Sequence, residues 1–138
     1  MSKEKMEKKY ACVKPIGEHM FKVTFTGEKA TKENFQEYLE AVADCYQQEG
    51  TVALLFDANE ATFPGISMQK MQANWLRDNE AMIKENCAGT AYVINSFIIR
   101  IALKLIFAFQ QQPVPYAVFK EEAKAQVWLN TQLANRAD

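Results

Sequence analysis

The feature that most constrains the fold of this chain is a regular alternation between strand-like apolar runs and segments with helical apolar spacing. Val52–Phe56 and Ala91–Ile94 are continuous apolar runs of strand length, which is typical of strands buried on both faces. Segments with apolar residues at helical spacing flank both runs. Strands that alternate with helices favour parallel pairing with right-handed crossovers. The pattern therefore predicts an α/β domain with a mostly parallel sheet.

The bounds of the predicted elements follow from turn and capping residues. Three of the helices are preceded by residues suited to N-capping, namely Thr31, Ser67, and Asn95 or Ser96. The predicted strands are Tyr10–Val13, His19–Phe25, Val52–Phe56, Ala91–Ile94 and Tyr116–Phe119. A short turn separates the first two strands, so the first is expected as an antiparallel edge strand. The resulting order is β-β-α-β-α-β-α-β-α, a sequential (βα)4 arrangement with one added N-terminal strand.

The segment Phe97–Phe109 (FIIRIALKLIFAF) is the most apolar of the chain, with eleven apolar side chains and two cations, Arg100 and Lys104. Its apolar arc is wider than one sheet contact needs. We expect one core-facing set, made of Ile98, Ile101, Ala102, Leu105 and Phe109. A second apolar stripe lies beside it, made of Ile99, Leu103 and Phe107. Burial of each of these three would contribute roughly 1.5–3 kcal/mol, so something is expected to cover them.

Three kinds of cover are compatible with the stripe of Ile99, Leu103 and Phe107. The helix can be central, with the sheet on one side and neighbouring helices on the other. The stripe can be the contact surface of a homodimer or another protein partner, because large exposed apolar patches usually mark contacts. It can also face a lipophilic pocket or a membrane surface, although two cations attract anionic lipid weakly. A stripe on the outside favours a protein partner, whereas a stripe that faces a gap beneath loop 57–67 favours a ligand.

Length and charge exclude several function classes. The 138 residues are enough for one domain, which we place at residues 10–134, with residues 1–9 as a flexible tail. The net charge of −1 argues against a nucleic-acid partner. No secretory signal is recognised, and the apolar segment is shorter than the about 20 residues that span a bilayer. Cys12, Cys45 and Cys87 have no metal-type spacing, which favours a reduced cytoplasmic protein without metal or cofactor.

Several residues carry a resemblance to a known family. They are the strand that ends in Asp57 (VALLFD), the pair Phe63 and Gly65 after it, and the closing AVFKEEAKAQVWL. Together they resemble the SpoIIAA-like family of the STAS superfamily, which is also labelled STAS/SEC14-like. The similarity covers roughly Phe21 to Leu133. It implies a bacterial, non-enzymatic regulatory or ligand-binding domain with sequential parallel strands.

The loop after the third strand departs from one motif of that family. STAS anti-sigma antagonists carry a phosphorylatable serine there, in an Asp-Ser-x-Gly context at a helix start. Here the loop reads DANEATFPGIS, in which Asp57 is followed by Ala58, and Ser67 lacks that context. We therefore predict that neither Ser67 nor Thr62 acts as a phosphorylation switch.

The carboxyl edge of the sheet is the expected location of a ligand, because ligands of open α/β sheets bind there. The polar candidates at this edge are Asp57, Asn59, Ser67, Asn95 and Ser96. An anionic group is expected at the helix start near Asn95 and Ser96, where free N–H groups and the positive end of the helix favour it. The apolar candidates are Phe63, Met68 and Met71, which would contact a lipophilic part. The alternative for these residues is ordinary capping and core packing.

No catalytic signature accompanies these candidates. His19 has no nucleophile motif beside it, and Glu121 and Glu122 are adjacent residues that diverge by about 100° on a helix. The sequence also contains no phosphate loop and no metal-binding cluster. We therefore expect a non-catalytic regulatory or scaffolding module that acts through protein contacts, most simply self-association. The alternative is a carrier or sensor of a small lipophilic or anionic ligand.

Overall fold

The computed structural model describes residues 9–137, so most of the expected N-terminal tail lies outside the described residues. The carbonyl of Lys9 accepts a hydrogen bond from the Thr26 hydroxyl. The strands are β1 (Ala11–Pro15), β2 (Met20–Phe25), β3 (Val52–Asp57), β4 (Cys87–Val93) and β5 (Tyr116–Phe119). The helices are α1 (Lys32–Cys45), α2 (Ile66–Asp78), α3 (Glu80–Asn86), α4 (Phe97–Phe109) and α5 (Glu122–Ala137).

The sheet has the strand order β1-β2-β3-β4-β5. β1 pairs antiparallel with β2, with Val13 opposite Val23. The other pairs are parallel, and Phe56 of β3 lies opposite Tyr92 of β4. The predicted α/β class, the mostly parallel sheet and the antiparallel N-terminal edge strand are confirmed.

The two faces of the sheet are covered unequally. One face packs Val23, Leu54 and Phe56 against side chains of α1, α2, α3 and α4. The other face packs Leu55 and Ala91, among others, against α5 alone. Gly89 of β4 allows this helix to come close, since a Cβ there would lie 3.1 Å from Gln132 Cγ and 3.3 Å from Pro115 O. The strands β3 and β4 are thus buried on both faces, as their continuous apolar runs predict.

Two of the predicted helix caps are confirmed and one is wrong. Thr31 forms a capping box with Asn34, and the Ser96 hydroxyl accepts a hydrogen bond from the Ile99 N–H. Ser67 does not cap α2, because the helix begins at Ile66 and Gly65 is its N-cap. Gly65 has an extended backbone with no side-chain capping bond, so it left no capping signal in the sequence.

Two boundaries also differ from the prediction. The single helix expected after loop 57–67 is interrupted at Asn79, whose amide donates to the Trp75 carbonyl and whose backbone leaves the helical region. β4 begins at Cys87 and not at Ala91. The residues Cys87, Ala88 and Gly89 are small, so they resemble neither a β-branched run nor an alternating strand.

The expected orientation of α4 is wrong. Ala102 and Ile106 are its buried residues, and Ile99, Leu103 and Phe107 are half-buried against the same core. Of the set expected to face the core, Ile98, Ile101, Leu105 and Phe109 are exposed instead. Because this helix is apolar on most of its circumference, its periodicity could not decide which side meets the sheet.

Candidate functional site

A cavity of about 80 Å³ lies on the α4 side of the sheet, near the carboxyl ends of β2 and β3. Loop 58–65 covers it, through Ala58, Ala61, Thr62 and Pro64. The α4 wall includes Ile99, Leu103 and Phe107, which are the stripe that the sequence offered as an interface. The stripe therefore faces a gap beneath the loop that follows β3.

Aromatic side chains form much of the lining. Phe25, Phe56 and Tyr92 project from three adjacent strands, and Phe107 projects from α4. The ring centroids of Phe25 and Phe56 are 6.2 Å apart, and those of Phe56 and Tyr92 are 5.2 Å apart, both in stacked geometry. The remaining aromatic residues of the lining are Tyr10, Phe35 and Tyr38. A row of stacked rings on a buried sheet face presents a rigid apolar surface to any occupant.

The tyrosine hydroxyls at this cavity are already hydrogen-bonded within the protein. Tyr10 bonds to Thr62 and Tyr38 bonds to Gln72. The hydroxyl of Tyr92 accepts a hydrogen bond of 2.8 Å from Gln112 Nε2. Burial raises the pKa of Tyr10 to about 12, against the lowering effect of its hydrogen bond to Thr62. Burial also raises the pKa of Tyr38 and that of Tyr92 above their ordinary values, so the hydroxyls remain neutral.

The covering loop is held by hydrogen bonds at several points. The Thr62 hydroxyl donates to the Glu28 carbonyl at 3.1 Å, and Gln69 Nε2 donates to the Pro64 carbonyl at 2.9 Å. The Asp57 carboxylate accepts a hydrogen bond from the Asn59 N–H at 3.1 Å. No carboxylate, ammonium or guanidinium group is among the residues that line the cavity in the described part of the chain. The cavity is therefore suited to an uncharged apolar group.

The structure brings Asp57, Asn59 and Asn95 to the same edge of the sheet, as the sequence predicted. Asn95 Nδ2 donates to Asn59 Oδ1 at 2.7 Å and to the Lys120 carbonyl at 3.3 Å. Asp57 lies 3.9 Å from Lys22 Nζ. Ser96 caps α4. These polar groups thus make structural contacts, and none of them is in the lining of the cavity.

The other predicted ligand residues do not line the cavity. Phe63 is 46% exposed, and Met68 is partly buried against the core. Ser67 and Met71 line a separate open groove between α1 and α2. Ser67 is an exposed residue in the first turn of α2. Its position does not test whether it is phosphorylated, so its exclusion as a phosphorylation switch stays a prediction.

Sequence reasoning missed the aromatic lining. The available signal was the position of Phe25, Phe56 and Tyr92 at or near the ends of consecutive strands. In parallel strands of similar register, such residues share one face and one edge. Strand periodicity assigns these three residues to the core, but it does not indicate that the core leaves a gap between them.

The described residues contain neither a metal-binding cluster nor a membrane-crossing helix. Among residues 9–137, no group of three or more His, Cys, Asp or Glu side chains is arranged to hold a metal ion. Within the same part of the chain, no helix combines the length and the apolar character needed to cross a membrane. Cys12 is exposed, whereas Cys45 and Cys87 are buried, and all three are free thiols.

Comparisons with known proteins agree with this architecture. A family model described as SpoIIAA-like matches residues 20–130. A solved structure is similar over 86% of this chain and 91% of that chain. It is the crystal structure, at 2.25 Å resolution, of an uncharacterized protein of the DUF3478 family with a SpoIIAA-like fold from Shewanella loihica PV-4. The TM-score is 0.54 and the sequence identity is 14%, so this likeness concerns the fold. A comparison with curated protein sequences finds no match.

Proposed function

The chain belongs to the SpoIIAA-like family, and from this premise we propose that it is a non-catalytic regulatory module that binds a small lipophilic ligand in the cavity beneath loop 58–65. One observation carries the proposal: Ile99, Leu103 and Phe107 face this cavity. An apolar stripe on the outside would have favoured a protein partner. The stripe instead closes a pocket with aromatic walls and no charged lining.

The dimensions and chemistry of the cavity define the class of ligand. Its volume of about 80 Å³ is roughly half that of the engineered 150 Å³ apolar cavity that binds benzene. The occupant is therefore smaller than benzene, or it is the end of a longer alkyl chain whose remainder leaves between loop 58–65 and α4. Because the tyrosine hydroxyls are paired within the protein, the occupant gains affinity from apolar contact and not from hydrogen bonds.

The ligand role explains why α4 is only partly packed. Of its cavity-lining residues, Ala102 and Ile106 are buried, while Ile99, Leu103 and Phe107 are half-buried. An occupant would add contacts to Leu103 and Phe107 and so stabilise α4 on the sheet. Ligand binding then changes the stability of a surface helix, which is a suitable output for a regulatory module. The three free thiols support a reducing, cytoplasmic setting for this module.

Backbone amide NMR with two probes, xenon and octanoate, tests the proposal. We expect saturable shifts at Ala58, Ile99 and Leu103 in the wild-type protein. Leu103→Trp fills the cavity and should abolish these shifts. Leu105→Trp is the matched control, since Leu105 is 41% exposed on the outer side of the same helix and should leave them unchanged. Absence of saturable shifts with both probes, together with no retained small molecule in native mass spectra, would contradict the ligand role.

A second candidate function is contact with another protein chain. The observation that favours it is the exposed side of α4, where Phe97 and Ile98 are 76% and 57% exposed. Neither Phe97 nor Ile98 lines the cavity, so a protein contact through them and a ligand in the cavity do not exclude each other.

A further inference from the structure

The exposed side of α4 is an unusually apolar surface for a helix that faces water. Phe97, Ile98, Ile101, Leu105 and Phe109, here called the outer face, are 38–76% exposed. They fall within one arc of roughly 120° on the helix. With Tyr116 and Val118 of β5, which are 45% and 37% exposed, they leave on the order of 600 Å² of apolar surface in water. That area approaches the about 800 Å² per partner of a standard protein interface.

The sheet ends beside this surface at an unprotected strand. The β1 edge carries the exposed residue Lys14 and ends in Pro15, features that discourage pairing with another chain. The β5 edge reads Tyr-Ala-Val-Phe and contains neither a charge nor a proline. No strand pairs with its outer side in the described part of the chain. Of the two edges, β5 is thus the one that can accept a further strand.

The hydrogen bonds of β5 define which of its groups are available. The carbonyls of Pro115 and Phe119 accept hydrogen bonds from the N–H groups of Thr90 and Ile94 on the β4 side. Because alternate residues of a strand direct their backbone groups to opposite sides, the N–H and C=O groups of Tyr116 and Val118 point to the open edge.

We propose that a second copy of this chain pairs with this edge, through antiparallel β5–β5 contact and packing of Phe97 and Ile101 of the two α4 helices beside it. In this arrangement Tyr116 lies opposite the partner's Val118, and Ala117 lies at the two-fold axis. The outward backbone groups of Tyr116 and Val118 are then satisfied in both copies. Aromatic and β-branched residues directly opposite each other are favourable cross-strand pairs.

The symmetry of this pairing places the two apolar surfaces together. An antiparallel pair within one continuous sheet requires a two-fold axis perpendicular to the sheet. This axis leaves both α4 helices on the same face, one on each side of the new strand pair. A groove between α4 and β5, lined by Phe97, Ile101, Tyr116 and Val118, opens at this edge and receives the partner's side chains. The interface is therefore isologous.

A second copy fits this surface better than a membrane does. An open strand edge that enters hydrocarbon leaves its backbone groups without hydrogen bonds. The groove has two cations, Arg100 and Lys104, and the whole chain has a net charge of −1, so attraction to anionic lipid is weak. The proposal rests on the protein-contact role and is independent of a ligand in the cavity.

Sedimentation velocity of the full chain, up to about 100 µM, tests the proposal. We expect the wild-type protein to be a dimer, and Val118→Lys to raise the dimer dissociation constant at least about tenfold while the circular dichroism is retained. Val127→Lys is the matched control, since Val127 is 67% exposed on α5 and should remain dimeric. A mixture of Val118→Lys and Tyr116→Glu variants should recover a heterodimer, because these positions are opposite each other.

The outcomes separate this proposal from the alternatives. A wild-type protein that stays monomeric over the whole concentration range overturns it, and sedimentation of that monomer with anionic phosphatidylserine vesicles would assign the surface to a membrane. A dimer that Val118→Lys leaves intact also overturns the β5 contact. Ile99→Trp, at a residue that lines the cavity and not the groove at the β5 edge, should leave the dimer unchanged. Loss of ligand binding and loss of self-association can thus be distinguished.

Discussion

The ring centroid of Phe107 lies 4.8 Å from that of Tyr116, with the two ring planes 59° apart. Phe107 belongs to α4 and Tyr116 to β5, so this pair joins the apolar helix to the edge strand. Phe107 also lines both the internal cavity and the groove at the β5 edge. Leu103 also lines both, so the two proposed sites share two side chains as the wall between them.

We expect a measurable coupling energy between these two rings. A double-mutant cycle with Phe107→Leu and Tyr116→Leu should give about 0.5–1.5 kcal/mol, the usual value for an aromatic pair in tilted geometry. Urea unfolding provides the free energies, and the Val118→Lys background removes any contribution from self-association. The control cycle combines Phe107→Leu with Trp128→Leu on the opposite face of the sheet. If the free-energy changes of the single variants were additive within about 0.3–0.5 kcal/mol in both cycles, the contact between the two rings would contribute no measurable coupling energy.

We expect Glu122 to stabilise the fold at neutral pH and to lose this effect in acid. Lys22 Nζ lies 2.7 Å from Glu122 Oε1, and this hydrogen bond is the main reason that the pKa of Glu122 is below its ordinary value of 4.5. A lowered pKa in the folded state contributes stability that is present above pH 4.5 and is lost as the pH falls through the folded-state value. Glu122→Gln should therefore destabilise the protein at neutral pH and have less effect in acid.

Denaturant unfolding of the wild-type and variant proteins across this pH range measures the difference. Glu121→Gln is the control, because the Glu121 side chain is 65% exposed and its Oε1 lies 3.6 Å from Nζ of Lys124, which is 75% exposed. Its effect should be small at every pH. A Glu122→Gln effect that is the same at neutral and acidic pH would rule out the Lys22 hydrogen bond as the cause.

We expect Gly89→Ala to destabilise the protein by about 1–3 kcal/mol, as overpacked core substitutions do. The added Cβ would lie 3.1 Å from Gln132 Cγ and 3.3 Å from Pro115 O, so α5 or the segment before β5 must shift. Adding Gln132→Ala removes the closest of these contacts and should restore part of the loss. Gly65→Ala is the control, since no atom lies within 4 Å of its Cβ position. Equal thermal stability of the Gly89→Ala and wild-type proteins would contradict this account.

The sequence by itself determined the element types and their order. Continuous apolar runs identify β3 and the end of β4 because strands buried on both faces exclude polar residues. Thr31 and Ser96 mark helix starts because a side-chain oxygen there satisfies a backbone N–H locally. The same local reasoning fails at Gly65 and Asn79, where the chain leaves one element for another without a strong capping signal. It also fails at Cys87–Gly89, whose small side chains follow no strand pattern.

The meeting of Asn59 with Asn95 shows how far sequence reasoning reached at the site. The carboxyl edge of a parallel sheet collects the loops after its strands, so the order of elements was enough to bring these residues together. That rule does not say whether the gathered side chains bind a ligand or each other. Here the amide of Asn95 is bonded to Asn59 and to the Lys120 carbonyl.

Only the tertiary structure decided which side of α4 meets the sheet and what lies beneath it. An arc of apolar side chains this wide has several orientations of similar hydrophobic energy, because apolar burial is proportional to area and is not directional. The Ser96 cap and the bond from Arg100 to the Ile94 carbonyl are present in the orientation that forms. This orientation places Ile99, Leu103 and Phe107 over the rings of Phe56 and Tyr92 and leaves Phe97 and Ile101 beside β5. The cavity and the open edge depend on packing between distant residues, which no local pattern records.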